Sequence, residues 1–403
     1  MRRLLACGAL ALAASVAPSW TVSGQRADAG DVTYTRDVAP ILYQNCAYCH
    51  RPGEVAPFSL LSYRDARPWA KAIERQVVER RMPPWNADPH YGEFRNPRRL
   101  SDRDIATIVA WVEGGAKEGH AADAPAAPQF VDGWQIGTPD LVLSMKEPAK
   151  IPAAGTIPYA TYPTDYVFER DTWVQAIEVR PGNRRVVHHA VALATTPTES
   201  GATQGQNVHL YSPGLEAMIW RDGYGKFFPR GTRVSLSMHY NAIGTETTDQ
   251  SKVGFKFATR PVHTQVNTTI VANNTLVVPP MVQKHEVIAA FQFPTEARIH
   301  GLRPHMHLRA QLGTASLIAA DGQRRVLLHI PKWDDSWQNY YVLSRPARVT
   351  RGAVLEYLAS YDNSPANPLN PDPTAPVRWG QQVWDEMHSV YMTWTPVNEH
   401  NAA

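Results

Sequence analysis

The sequence predicts a multidomain chain in which a small all-α domain precedes two all-β sandwiches in series. Three observations carry that expectation. The run Cys46-Ala47-Tyr48-Cys49-His50 lies among stretches of helical periodicity. An Ala/Pro-rich stretch, 121–130, reads as an exposed spacer. Beyond it, short alternating runs are separated by turn residues, and no long amphipathic helix is evident. The expected boundaries are 1–24 for an export signal, 30–120 for the helical domain, 131–260 for the first sandwich and 261–403 for the second. At 403 residues, 43% hydrophobic and 19% charged, the chain has material for several cores and is not a disordered one. Its net charge of +3 offers no electrostatic grip on nucleic acid.

The elements follow in chain order. Met1-Arg2-Arg3 is a basic start, and Leu4–Ala17 is an apolar run too short to span a bilayer. Small residues near Val22-Ser23-Gly24 suit a cut before Gln25, so the expected protein is exported to the periplasm or beyond and has no stable membrane span. Lipidation at Cys7 is the alternative, although it leaves almost no apolar stretch before the cysteine. Of the three cysteines, export would leave only Cys46 and Cys49, too few for a disulfide framework.

Two thiols three residues apart can bond to the two vinyl groups of one haem, and the adjoining His50 then becomes an axial iron ligand. Zinc would require a second Cys/His pair, and a redox C-x-x-C would be expected in a βαβ pattern; neither is present. A covalently attached c-type haem is therefore expected. Val38, Ile41 and Leu42 share one face of a helix over 34–44, Trp69, Ile73 and Val77 another over 62–80. Ser101 caps a third helix with the stripe Ile105, Ile108, Val109 and Val112, ended by Gly114-Gly115. In Arg81-Met82-Pro83-Pro84-Trp85, Met82 is the expected sixth iron ligand, a soft thioether in a stiff loop. His90 and His120 are its alternatives. This segment resembles class I cytochromes c.

Strand-like runs follow at Leu141–Met145, Tyr166–Val179, Val186–Ala194, Val234–Tyr240, Val253–Ala258, Val287–Phe293 and Val354–Tyr361. His188-His189 and His239 offer three imidazoles. Neighbours in an ideal strand point to opposite faces, so His188 and His189 can share an ion only at a bulge or a strand end, or through different ring nitrogens. One buried and one surface histidine is the other reading. His305-Met306-His307 places two imidazoles on one face of a strand. Asp385-Glu386-Met387, expected in the last strands, offers a third ligand in Met387. Imidazole with thioether favours copper, especially Cu(I), over zinc or iron. His300 and His388 are expected to support the ligands, and the remaining histidines to be structural or surface residues.

Taken in order, His188-His189, Met238-His239-Tyr240, His305-Met306-His307 and Asp385-Glu386-Met387 resemble the copper type II, ascorbate-dependent monooxygenases, the peptidylglycine α-hydroxylating and dopamine β-monooxygenase family. The resemblance spans about two-thirds of the chain. It implies two tandem jelly-roll sandwiches and two copper ions. His188, His189 and His239 would hold an electron-transfer copper. His305, His307 and Met387 would hold the catalytic one, where O2 binds and a C–H bond of a small or peptide-like substrate is hydroxylated. The two sites would face each other across an open, solvent-filled cleft. Arg303 and Tyr391 stand where peptide-hydroxylating members hold a substrate carboxylate; Ser389 replaces a third contact, and Arg303 could instead be a solvated surface residue. The chain departs from the eukaryotic members in lacking spare cysteines and in carrying a C-x-x-C-H segment in front. The fused haem is therefore expected to deliver electrons from ascorbate or a periplasmic donor. Two other readings compete: a non-catalytic haem and copper electron-transfer protein, and a binding module with Trp333, Trp337, Trp379, Trp384 and Trp394 as a sugar platform.

Overall fold

A computed structural model describes residues 32–198, 203–215, 217–398 and 400. The expected signal peptide, 1–24, lies outside the described residues. Strands account for 39% of the described residues and helices for 12%.

The helices are short because each apolar stripe is short. Ala39–Asn45 buries Ile41 and Leu42, and Ala70–Val78 buries Ile73 and Val77. Asp102–Glu113 opens with a capping box: the Ser101 side chain accepts from the Asp104 N–H, and the Asp104 side chain accepts from the Ser101 N–H. Such a cap contributes about 1 kcal/mol. The helix buries Ile108 and also Trp111, which the stripe reading omitted; the Trp111 indole donates to the Lys117 carbonyl at 2.9 Å. Trp69, expected in a core, is largely exposed and stacks on Phe58 at 4.4 Å between ring centroids.

The expected fold class requires correction. The helices share a small core from Val32 to Ala116, but among the described residues no all-α domain stands in front of the β part, and the fold is mainly β. Irregular backbone separates the short helices, and residues 84–98 leave them to run along the second β body. There Ala87 joins its core, Trp85 and Phe94 pack on it, and Phe94 bridges to Leu343. Local periodicity showed where helices form but not that the segments between them would be recruited by strands some 250 residues away.

In the first β body, the four-stranded antiparallel sheet has the order Ala160–Val167, Arg233–Tyr240, Val187–Pro197, Thr203–Tyr211. The sheet built on Thr172–Arg180 and Lys252–Phe257 is the other layer, with Val174, Ile177, Phe228, Leu236 and Phe255 buried in the shared core. The second body has two four-stranded sheets. One has the order Asn267–Ala272, Ser389–Pro396, Ala297–His305, Tyr341–Val349; the other His285–Gln292, Val354–Tyr361, Ala310–Ile318, Arg324–Ile330. Alternation sets the faces: in His285–Gln292, Val287 and Ala289 are buried while Glu286 and Ile288 are exposed. The expected strand Tyr166–Val179 is two strands, broken at residues 168–171.

Candidate metal and haem sites

The strand Val187–Pro197 pairs with Arg233–Tyr240, and the register slips between Val187 and His189. His188 is thus the extra residue of a bulge, which turns its ring toward the side of its neighbour. His188 Nδ1 lies 3.1 Å from His239 Nδ1 and 3.2 Å from His189 Nδ1. Three such nitrogens have at most a proton or two to share. Separations of about 3.3 Å are what ligands about 2.0 Å from one ion have. Burial lowers the pKa of all three, so the unprotonated, ligating form is favoured; His239 falls to about 3. Tyr159 stacks on His239 at 4.8 Å, and its N–H donates to Gln382 of the second body.

The second cluster is built across a sheet end. His305 closes the strand Ala297–His305, but His307 lies beyond the strand, and Met387 lies in the loop before Ser389–Pro396 rather than in a strand. The expected strand geometry of H-x-H is therefore corrected. A buried carboxylate does the work instead: Glu386 accepts from the backbone N–H of His307 (2.5 Å), Arg309 (3.0 Å) and Met387 (2.9 Å). It pins the two ligand-bearing loops together. Burial pushes its pKa up to about 8, against the pull of the three N–H donors.

His305 Nδ1 donates to Gln338 Oε1 at 2.6 Å, so its Nε2 carries a free lone pair, 3.1 Å from Met387 Sδ. Two lone-pair donors at that distance have no hydrogen between them. His307 Nδ1 donates to the Asp385 carbonyl at 3.3 Å, and its Nε2 is buried with no hydrogen-bond partner. An orphaned nitrogen beside a thioether and a second imidazole fits a soft metal such as Cu(I). His388 is buried and supports from behind: it bonds the Tyr361 hydroxyl, which donates to the Met387 carbonyl at 2.9 Å. His300 lies apart, bonded to Thr395.

The expected open cleft between the two clusters is also corrected. The His189 and His305 ring centroids are 5.8 Å apart, and both residues are buried. A cavity of about 320 Å³ touches both clusters, through His189 on one side and His305 and Met387 on the other. Val191, Leu193, Ile270 and Trp379 give it apolar walls; among the described residues no Lys, Arg, Asp or Glu lines it. Tyr391 lines this cavity and an adjoining one of about 50 Å³, where Arg303 lies. Arg303 is no surface residue. It is 4% exposed, and its guanidinium donates to the Leu210 carbonyl and to Ser212 Oγ, both at 3.2 Å, tying the two bodies together.

Cys46, Cys49, His50 and Met82 line one cavity of about 480 Å³, which fits the expected haem ligands. Cys46 and Cys49 form no disulfide among the described residues, and burial pushes the Cys46 thiol up to about 12. His50 Nδ1 donates to the Phe58 carbonyl at 3.3 Å, leaving Nε2 as the lone-pair nitrogen. The cavity is closed by Pro213 and Gly214 of the first body and Trp337 of the second. Glu54 accepts from Arg51 and Arg184, both at 2.8 Å, fixing this segment on the first body.

The positioning roles of residues 336–338 were missed by sequence reading, which placed Trp337 only in a sugar platform. Ser336 bonds His188 through its backbone, Trp337 lines the cysteine cavity, and Gln338 orients His305. Their only sequence signal was a tryptophan in a polar loop. Of the tryptophans read as a sugar platform, Trp333 is buried and Trp394 packs on the core, while Trp379 and Trp384 are exposed.

No family model and no curated protein matches the chain. Among solved structures it is similar to the major capsid protein P2 of bacteriophage PM2, 9% identical over 65% of this chain and 98% of that one, TM-score 0.26. It is also similar to the VP2 subviral particle of infectious bursal disease virus (11%, 64% and 71%, TM-score 0.21) and to the PBSX exported protein XepA (8%, 61% and 95%, TM-score 0.18). At those TM-scores the likeness carries no argument. No helix among the described residues is long and apolar enough to cross a membrane.

Proposed function

We propose that this chain is an exported copper-dependent monooxygenase, which uses O2 to hydroxylate a C–H bond of a small uncharged substrate and takes its electrons by way of a covalent haem. The observation that carries the reading is the cavity bordered by both imidazole clusters. His188, His189 and His239 would hold one copper, and His305, His307 and Met387 the other; bound there, copper supplies one-electron transfer and the activation of dioxygen. Cys46, Cys49, His50 and Met82 would hold the haem.

The chain's own residues set the conditions. Gln338 and the Asp385 carbonyl fix the tautomers of His305 and His307, leaving Nε2 of each unprotonated. Glu386 holds the Met387 backbone, and the wall of Val191, Leu193, Ile270 and Trp379 offers the substrate apolar contact. That wall supports a small neutral substrate rather than an acidic peptide; Tyr391 would touch it, with Arg303 acting from the adjoining pocket. For electron delivery from ascorbate or a periplasmic donor, the haem cavity and the crevice at His188 share Val55, Pro213 and Trp337 as common walls.

The test is the copper-to-haem ratio of the full chain after copper loading and removal of loose metal. Two coppers per haem are expected, falling to one in Met387→Ala with loss of hydroxylation and an unchanged haem spectrum. Haem with no tightly held copper, or full activity in Met387→Ala, would overturn the reading in favour of an electron-transfer protein, which has no use for the shared cavity.

A further inference from the structure

Away from the imidazole clusters, a cavity of about 530 Å³ opens where the 95–98 segment meets both β bodies. Arg95, Arg98, Arg221 and Arg298 line it with His300, and no acidic side chain among the described residues does. Arg95, Arg98 and Arg221 enter no ion pair among the described residues. Neighbouring Asp222 is taken by Arg260, at 2.9 Å. In a chain of net charge only +3, four guanidiniums on one cavity are a local concentration of positive charge. His300 registers it: burial first, then Arg221, Arg298 and Arg95, lower its pKa to about 4. Much of the remaining wall is aromatic or apolar, with Trp220, Tyr224, Tyr340, Met218 and Val266, beside the polar Asn96, Ser344 and Thr393.

We propose that this cavity binds a small organic anion of the carboxylate class, its charge held by the arginines and its carbon body by the Trp220, Tyr224 and Tyr340 wall. Guanidinium matches carboxylate geometry in a way that ammonium does not. An inorganic anion would satisfy the arginines but leave the apolar wall wet. The cavity shares Asn96 and Arg98 with the cysteine cavity and no lining residue with the cavity at Met387. The occupant therefore sits beside the haem segment; the small pocket at Arg303 and Tyr391, which shares Met218, Tyr340 and Thr393 with this cavity, lies between it and the cavity at Met387.

The experiment is calorimetric titration of the full chain as isolated, with adipate, its uncharged isostere adipamide, and sulfate, at about 0.15 M ionic strength. Adipate is expected to bind at least tenfold more tightly than either of the others. The double variant R95Q/R221Q, at two exposed positions, should lose at least tenfold in adipate affinity with an unchanged haem spectrum, while R324Q, remote from the cavity, should not. Equal binding of adipate and adipamide, sulfate binding as tightly as adipate, absence of adipate binding, or full affinity in R95Q/R221Q would each overturn the proposal.

Discussion

Lys226 shows how far single residues depart from their ordinary chemistry in this molecule. It is buried between the two bodies, donates to Thr268 Oγ1 at 2.8 Å, and has no carboxylate partner among the described residues. Burial lowers its pKa from 10.5 to about 7. Above pH 10.5 the amine is neutral in both folded and unfolded chains, and its titration costs nothing. As pH falls toward 7 the unfolded chain takes up a proton that the folded chain refuses, so stability drops; below 7 both are charged and the cost is constant. Lys226→Met should therefore raise the urea midpoint over wild type by a margin that widens from pH 10 to pH 7 and then levels. A margin independent of pH would mean that the ammonium is solvated in the folded state. Glu386 is the opposite case, a buried acid placed by three N–H donors rather than by a cation. Neither role was legible: a lysine in a strand and an acid beside a methionine look like surface residues until their neighbours are known.

At the scale of elements, the bulge at His188 and the 336–338 segment do the positioning. The paired histidines implied a bulge, a strand end or the use of different ring nitrogens if both rings were to face one ion, and the register slip at that residue is a bulge. The role of 336–338 had no such signal, since its three side chains and backbone groups act on residues 33 to about 290 positions distant. Gln338→Leu should weaken copper at His305 by about 10- to 100-fold while His188, His189 and His239 keep their ion, as read by competition with a copper chelator. Trp337→Leu should slow re-oxidation of the reduced haem by bound copper at least tenfold under anaerobic stopped flow, with copper content unchanged. An unaltered rate would remove Trp337 from the path. Strands such as Val354–Tyr361 were legible from alternation. Ala297–His305 was not, because its buried run from Gly301 to His305 is packed on both faces and includes Arg, Pro and His.

For the molecule as a whole, the stretch 84–98 decides the architecture. Trp85 packs edge-on and Phe94 tilted against Tyr341, with centroids 4.7 and 5.4 Å away, and Asn96 accepts from the Val342 N–H at 3.1 Å. Phe94→Ala should lower the stability of the second body by about 2–3 kcal/mol in urea unfolding, since it opens a gap beside a core. If the helical segment folded apart from the β bodies, the same substitution would leave the strand transition unmoved. The contact also explains why the second body, through Trp337, walls the cysteine cavity.

The sequence by itself determined the chemistry that depends on neighbours in the chain. Cys46 and Cys49 at a spacing of three, the capping box at Ser101, and the paired His188 and His189 follow from local geometry alone. Tertiary structure decided what depends on distant parts meeting. It brought His189 to within 5.8 Å of His305 where an open cleft was expected, used Glu386 to place His307 beyond its strand, and made Arg303, expected either at a substrate carboxylate or on the surface, a buried tie. Those outcomes are set by burial and by long-range pairing, and no local pattern of residue types encodes either.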